Sequence, residues 1–158
     1  MKILRRGLLL LMVLLACCGC SRGVDEEKEV PLSDISAKLM SDLAWVDEPL
    51  YQLNETAIST NYSFGDIGLE GCEAYLGATN ATAEEIVVVK LADKKDLSDL
   101  EAALQKRVDS RKKQFENYVP AEVYKLENAV ITSHGRYAAL IVCDEFDKAD
   151  GVFESCFE

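Results

Sequence analysis

The chain has 158 residues, the size of a single domain, and 49% of them are hydrophobic, enough for a packed core. Its 28 acidic residues outnumber its 17 lysines and arginines, which gives a formal net charge of −11 at pH 7. Phosphate backbones and anionic lipid headgroups repel so acidic a protein. The composition therefore argues against nucleic acid as a partner and against membrane contact through basic side chains.

The first 16 residues have the pattern of an export signal. Lys2, Arg5 and Arg6 precede an uncharged apolar run over residues 7–16. The run is shorter than the roughly 20 residues of a membrane-spanning helix, but it has the length of the apolar core of a signal peptide. We therefore expect residues 1–16 to be a signal peptide.

Three cysteines follow this run directly. The sequence "LLAC" that ends at Cys17 resembles the lipobox of bacterial lipoprotein precursors, in which the cysteine receives a diacylglyceryl group and the peptide is cut before it. The resemblance implies lipidation of Cys17. Cys20, which follows Gly19, is the alternative, and Cys18 suits the pattern least. The Cys17-x-x-Cys20 spacing lacks the histidine that haem attachment needs and the second ligand pair typical of zinc sites.

Lipidation would place the protein on the outer, extracytoplasmic face of the cell membrane, with the bilayer as a partner of the acyl chains. Each buried methylene of those chains contributes about 0.8 kcal/mol. The remaining 142 residues would carry 14 basic and 28 acidic side chains, a net charge of −14. Residues 17–32 are polar and acidic and are expected to form the lipidated cysteine and a flexible tether. Residues 33–158 are expected to form a single domain.

Helical spacing of apolar residues predicts a first helix that Ser33 or Asp34 caps and that ends before Pro49. Residues 50–71 are ambiguous, with Asn54 a candidate cap of a short helix that runs through Ile58. The apolar positions of the first helix are Ile35, Leu39, Leu43 and Val46.

Residues 72–79 and 85–92 have the composition and alternation of strands. Lys90 is the one charge within the second run, and we interpret it as a solvent-facing lysine on an edge strand. Glu85 lies an odd number of positions from Lys90 and therefore faces the other side of the strand, so the two are not an obvious ion pair. The adjacent Glu84 and Glu85 are weak evidence for acid–base chemistry, because a chain with 28 acidic residues contains such pairs by chance.

A long helix follows, with Asp96 as its predicted cap and Pro120 just beyond its end. Its acidic start and basic later half suit the helix dipole. Its apolar stripe comprises Leu97, Leu100, Leu104, Val108, Phe115 and Tyr118.

Residues 129–143 predict a β-hairpin with His134-Gly135 as its turn. Asp144 then caps a closing helix with Phe146, Val152, Phe153 and Phe157 on its apolar side. The expected fold class is α+β: a small, largely antiparallel four-stranded sheet in ββαββ order, a long helix packed on one face, and N- and C-terminal helices.

The region from Leu50 to the C-terminus resembles the domain-of-unknown-function family 4358, lipoproteins found mainly in clostridia-like bacteria. The resembling features are the Glu-Glu-Ile strand that ends in Lys90, the leucine-rich helix, the end at residues 118–120, and the hairpin with Tyr137. The resemblance implies a lipoprotein and supplies no activity.

The sequence contains few residues or motifs that are typical of catalytic or metal sites. His134 is the only histidine and lies in the predicted turn, and no nucleophile elbow, zinc-protease, phosphate-loop or calcium-loop motif occurs. We therefore predict no catalytic, metal or cofactor-binding residue. Cys72, Cys143 and Cys156 are expected to be free and buried, with a Cys143–Cys156 disulfide as the alternative.

The function expected from these features is that of a binding or interaction module. Its acidic character suits a protein partner, a cationic ligand or a cation. The alternative is an extracytoplasmic hydrolase that uses carboxylates. Whether the protein is an enzyme stays open, and the missing motifs favour the module.

Overall fold

The computed structural model describes residues 28–46, 49–79 and 81–158. The predicted signal peptide and both candidate lipidation sites, Cys17 and Cys20, lie outside these ranges. Within them, no helix is both long enough and apolar enough to cross a membrane.

One antiparallel sheet of five strands organises the fold, in the order β1-β2-β3-β5-β4. The four predicted strands are confirmed, and the expected number of four is wrong by one. The additional strand, β1, pairs with β2 and has only two residues, too few to show an alternating pattern. The strands are β1 Tyr51–Gln52, β2 Leu69–Leu76, β3 Glu85–Leu91, β4 Val130–His134 and β5 Tyr137–Val142.

Helices flank this sheet, and the predicted long helix α3, first helix α1 and closing helix α5 are confirmed. Asn54 caps α2, because its Oδ1 accepts a hydrogen bond from the backbone N–H of Ala57 at 2.9 Å. Single turns of 3-10 helix precede α3 and α4. The helices are α1 Leu32–Asp42, α2 Glu55–Asn61, α3 Leu97–Tyr118, α4 Val123–Glu127 and α5 Phe146–Glu154.

Both faces of the sheet are covered. Val87 and Val89 of β3 pack in the core beneath α3, whereas Ile86 and Val88 pack in a second core with α1 and α5. The long helix therefore packs on one face, as expected, and the N- and C-terminal helices cover the other. The two central strands, β3 and β5, are apolar at nearly every position because both of their faces are buried.

The apolar stripe of α3 is confirmed through most of its length. Leu100, Leu104 and Phe115 are buried, but Tyr118 in the last turn is 82% exposed. In the first helix, Val46 was expected on the apolar side and is 67% exposed, because α1 ends at Asp42. Both errors come from extending a helical pattern beyond the point where the helix still faces the core.

The predicted helix caps at Asp96 and Asp144 differ in detail from the observed ones. Asp96 ends the 3-10 turn before α3 and lies at the predicted cap position of α3, but its carboxylate accepts from the backbone N–H of Gly68 at 3.3 Å and not from the helix. Asp93 caps that turn instead, with its carboxylate accepting from the N–H of Lys95. The closing helix α5 begins after Glu145, one residue beyond the predicted cap Asp144.

The start of the first helix differs in the same way. α1 begins at Leu32, after Pro31, and neither Ser33 nor Asp34 lies at its cap position. Proline suits such a boundary because its φ is already fixed near the helical value.

The turn of the β4–β5 hairpin lies one residue later than predicted. His134 pairs with Tyr137 as the last residue of β4, so the two loop residues are Gly135 and Arg136. Gly135 has a φ of 58°, which glycine adopts without the steric penalty of a side chain.

Candidate functional site

Two adjacent carboxylates at the start of β3, Glu84 and Glu85, are completely buried. Neighbouring residues of an extended chain point to opposite sides, so the two side chains meet different partners. A buried charge is tolerated only when it is paired and hydrogen-bonded. Their partners therefore identify the two polar clusters inside this domain.

Glu85 lies at the centre of the first cluster, which we call the Glu85 centre: Tyr62, Glu85, Arg107 and Arg111. The Tyr62 hydroxyl donates to Oε1 of Glu85 at 2.5 Å. Arg107 donates from Nε to Oε1 at 3.0 Å and from Nη2 to Oε2 at 3.3 Å. Nε of Arg111 lies 3.4 Å from Oε2 as an ion pair. The two arginines reach one carboxylate because residues four apart share a helix face.

The two arginines of the Glu85 centre differ in how well they are satisfied. Arg107 also donates to Oδ1 of Asn61 at 3.1 Å and lies over the Tyr62 ring. Arg111 lies over the Phe115 ring, 4.8 Å from its centroid, and its buried Nε and Nη2 have no hydrogen-bond acceptor. Arg111 therefore keeps donor capacity that the protein does not use.

The pKa values of the two guanidinium groups move in opposite directions. Burial alone would lower the pKa of Arg107, but the hydrogen-bonded Glu85 carboxylate raises it overall. Burial lowers the pKa of Arg111, the neighbouring Arg107 charge adds to this, and Glu85 offsets only part of it. Both groups remain charged at neutral pH, so two positive charges share one carboxylate.

A cavity of about 310 Å³ lies beside Arg111 at the C-terminal end of α3. Phe115 supplies a buried aromatic wall, and Tyr118 is the exposed aromatic residue that was expected in the core. A guanidinium next to aromatic walls can bind an anion that also carries an apolar group. The lining residues are Arg111, Gln114, Phe115, Tyr118 and Val119.

The second cluster, which we call the Lys125 cluster, comprises Glu84, Glu122, Lys125 and Asp144. The buried Lys125 ammonium lies 3.1 Å from Glu122, 3.4 Å from Glu84 and 3.6 Å from Asp144. Glu84 also accepts from the backbone N–H of Val46 at 2.8 Å. Burial opposes the charge of Lys125, yet the hydrogen bond to Glu122 and the other carboxylates raise its pKa. This cluster joins α4 to the start of β3 and to the segment after α1.

Lys90 is not the solvent-facing edge lysine that its sequence context suggested. β3 is the third of five strands, and the Lys90 side chain is 12% exposed. Its ammonium lies 2.7 Å from Glu70 and also contacts Glu29. Arg136 binds the same two carboxylates, at 2.7 Å and 2.6 Å. Lys90 and Arg136 thus form an ion-pair group with Glu29 and Glu70.

This ion-pair group brings the end of the predicted tether onto the domain. Glu29 lies within residues 17–32, and the next residue, Val30, donates its backbone N–H to the Tyr137 hydroxyl at 3.0 Å. Val30 and Leu32 also pack against the core beneath α1 and α5. The packed part of the chain therefore includes residues on the N-terminal side of position 33.

His134 and the cysteines have structural surroundings. Nδ1 of His134 lies 3.0 Å from Glu154, and its ring stacks on Phe157 at 4.2 Å. Cys72, Cys143 and Cys156 are free, so the alternative Cys143–Cys156 disulfide is wrong. Burial raises the pKa of Cys72 to about 12 and that of Cys143 to about 11, which leaves both thiols protonated at neutral pH.

Metal-binding geometry is not found in the part of the chain that the structure describes. No group of three or more histidine, cysteine, aspartate or glutamate side chains in residues 28–46, 49–79 and 81–158 could hold a metal ion. In the Lys125 cluster, the positive charge comes from the ammonium of Lys125.

Comparison with known families places residues 44–143 in a family described as "Domain of unknown function (DUF4358)". The chain belongs to this family. The matched segment runs through β5 and contains Glu84, Glu85, Arg107, Arg111 and Lys125. No curated protein and no solved structure matches the chain.

Proposed function

We propose that this protein is a lipid-anchored binding module on the outer face of the cell membrane. The basic start, the apolar run and the "LLAC" sequence before residue 18 support an anchor at Cys17, with Cys20 as the alternative. Acyl chains provide the attachment, because the acidic domain is repelled by anionic headgroups.

The cavity beside Arg111 is the observation that carries the binding role. It joins a concave site to a charged group whose buried nitrogens lack acceptors within the protein. Binding sites typically combine apolar walls with a few oriented polar groups. The lining includes both: the Phe115 ring and the Arg111 guanidinium.

The alternative hydrolase has weaker support. A catalytic carboxylate must reach the proton that it transfers. Glu84 and Glu85 are instead buried and held by basic side chains, Lys125 for one and Arg107 for the other. Such pairing suits a structural role, so the binding module is the better interpretation.

The anchor is tested by expressing Cys17→Ser and Cys20→Ser in a bacterial host and following palmitate labelling and membrane fractionation. We expect Cys17→Ser to lose its label and either to stay uncleaved in the membrane fraction or to be released, while Cys20→Ser behaves like the unmodified chain. Full labelling of Cys17→Ser together with loss in Cys20→Ser would place the anchor at Cys20. Labelling of both variants would contradict a single lipidated cysteine.

The binding role is tested by isolating the protein from membranes and identifying co-purifying small molecules by mass spectrometry. We expect a species that is present with the unmodified chain and with Lys113→Gln but lost with Arg111→Gln. Both variants remove one positive charge from α3, and only Arg111 lines the cavity. Turnover of a substrate panel that Glu or Asp substitutions abolish would favour the hydrolase instead.

A further inference from the structure

The charge balance around Arg111 defines what the cavity can accept. Glu85 is the carboxylate shared by Arg107 and Arg111, so the Glu85 centre carries one excess positive charge in a protein of net charge −11. Glu85 cannot turn fully toward Arg111, because the Tyr62 hydroxyl and Arg107 Nε both hold its Oε1. The missing negative charge and acceptor must come from outside this centre.

The position of Arg111 relative to the cavity supports a ligand as the source. The side chain is 11% exposed and lines the cavity wall. The guanidinium has five N–H donors in a planar fork that matches the two oxygens of a carboxylate. Because Arg111 lines the cavity, an anion bound there lies next to this guanidinium.

The remaining lining limits the ligand further. The Phe115 and Tyr118 side chains and Val119 are apolar or aromatic, and Gln114 is the other polar side chain among the lining residues. A volume of about 310 Å³ lies at the small end of the range for organic ligands. One basic group matches one negative charge.

We propose that this cavity binds a small organic monocarboxylate with an aromatic or similarly compact apolar group, its carboxylate on Arg111 and its ring against Tyr118. This assignment rests on the proposed binding role and adds its ligand class. It is opposite in sign to the cationic ligand that the overall acidity suggests. The local charge of the Glu85 centre decides the preference, because a charged contact in a concave, partly desolvated site outweighs distant, screened charges.

The test uses three probes of one shape and different charge: para-fluorinated phenylbutyrate, phenylbutanamide and phenylbutylamine. Each is titrated into the full-length chain in lipid nanodiscs, with empty nanodiscs as the blank, and the dissociation constant is measured by fluorine NMR. We expect the acid to bind about ten- to hundredfold more tightly than the neutral amide, the range of a charged hydrogen bond. The amine should bind more weakly still.

Variants locate the binding. Arg111→Gln should weaken binding of the acid about ten- to hundredfold, to the affinity of the amide. Lys113→Gln should leave the affinity for the acid unchanged. Because Arg111→Gln also alters the Glu85 centre, two exposed lining positions serve as independent checks. Tyr118→Ala should weaken binding of the acid about two- to tenfold. Gln114→Glu should abolish this binding, because its carboxylate repels that of the probe.

The outcomes separate the ligand class from the binding role. Equal binding of acid and amide, sensitive to Tyr118→Ala, would keep the cavity as a binding site and overturn the carboxylate assignment. Preferred binding of the amine would overturn it as well. If no probe binds, or if binding is insensitive to every lining variant, the cavity is not the ligand site and this inference is wrong.

Discussion

The Glu85 centre and the Lys125 cluster contain adjacent glutamates at the start of β3. Both pair a buried carboxylate with basic side chains, but one has an excess of positive charge and the other an excess of negative charge. In the first, two guanidiniums share one carboxylate. In the second, one ammonium lies among three carboxylates. Both enclose a completely buried glutamate, so burial alone does not distinguish them.

Access to water and to the cavity makes the difference between the two clusters. The surplus negative charge of the Lys125 cluster reaches solvent through Asp144, whose side chain is 38% exposed. The surplus positive charge of the Glu85 centre resides on Arg111, which has buried nitrogens without acceptors and borders a cavity. The first arrangement therefore needs no ligand, whereas the second has donors that the proposed anion would use.

The largest expected effect comes from removing one charge from each cluster. Glu85→Gln leaves two buried guanidiniums without a carboxylate and should lower the free energy of unfolding by about 3–5 kcal/mol. In Glu84→Gln, Lys125 keeps Glu122 and Asp144 as ion-pair partners, and the new amide oxygen can still accept from the N–H of Val46. We therefore expect the free energy of unfolding to fall by only about 1 kcal/mol. Urea denaturation at neutral pH measures both.

Equal losses for Glu84→Gln and Glu85→Gln would contradict this comparison, because they would show that the number of remaining partners does not matter. A much smaller loss for Glu85→Gln would show that solvent already screens the two arginines. In either case Arg111 would no longer stand out as an incompletely paired cation.

A second substitution separates the packing of α3 from its charges. Leu104 is completely buried beneath the sheet, so Leu104→Ala should lower the free energy of unfolding by about 3 kcal/mol through lost contacts and a residual cavity. Added salt should not change this loss, because it comes from packing and not from charge. Lys106→Ala on the exposed side of the helix is the control. An unchanged melting temperature for Leu104→Ala would mean that α3 does not pack on the core.

Local pattern was sufficient to predict the long elements. α3, β3 and the β4–β5 hairpin follow directly from the spacing of apolar residues and from the glycine at the turn. The strand β1 was missed because two residues cannot show a period. Asp96 lies at the cap position of α3, but a tertiary hydrogen bond from Gly68 occupies its carboxylate, and the predicted cap Asp144 was wrong because α5 starts one residue later.

The Glu85 centre could not be predicted from the local sequence pattern. Glu85 and Arg107 are 22 residues apart, and Tyr62 is 23 residues before Glu85. Only the sheet register and the packing of α3 bring them together. One signal was present in the sequence: a glutamate whose parity places it with Val87 and Val89 on a face that must be buried. A charge at a core position requires a partner, and basic residues of α3 four apart, including Arg107 and Arg111, were the available ones.

The smallest expected effect lies at the other end of β3, where Lys90 and Arg136 bind Glu70. Hydrogen bonds from these two residues lower the pKa of Glu70 below its usual value, although half of its side chain is exposed. A lowered folded-state pKa means that the stabilisation is present above the unfolded-state value of about 4.3 and is lost as the pH falls through the folded-state value.

We therefore expect Glu70→Gln to be slightly less stable than the unmodified chain at neutral pH, with a difference that shrinks steadily below about pH 4.3. Urea midpoints measured from neutral to acidic pH would show this convergence, with Glu116→Gln on the exposed side of α3 as the control. A difference that grows on acidification would give the opposite sign for the linkage and would mean that Glu70 is not held in its charged form by Lys90 and Arg136. Such a solvent-screened pair should matter far less than the buried Glu85, because water can replace either partner at the surface but not within the core.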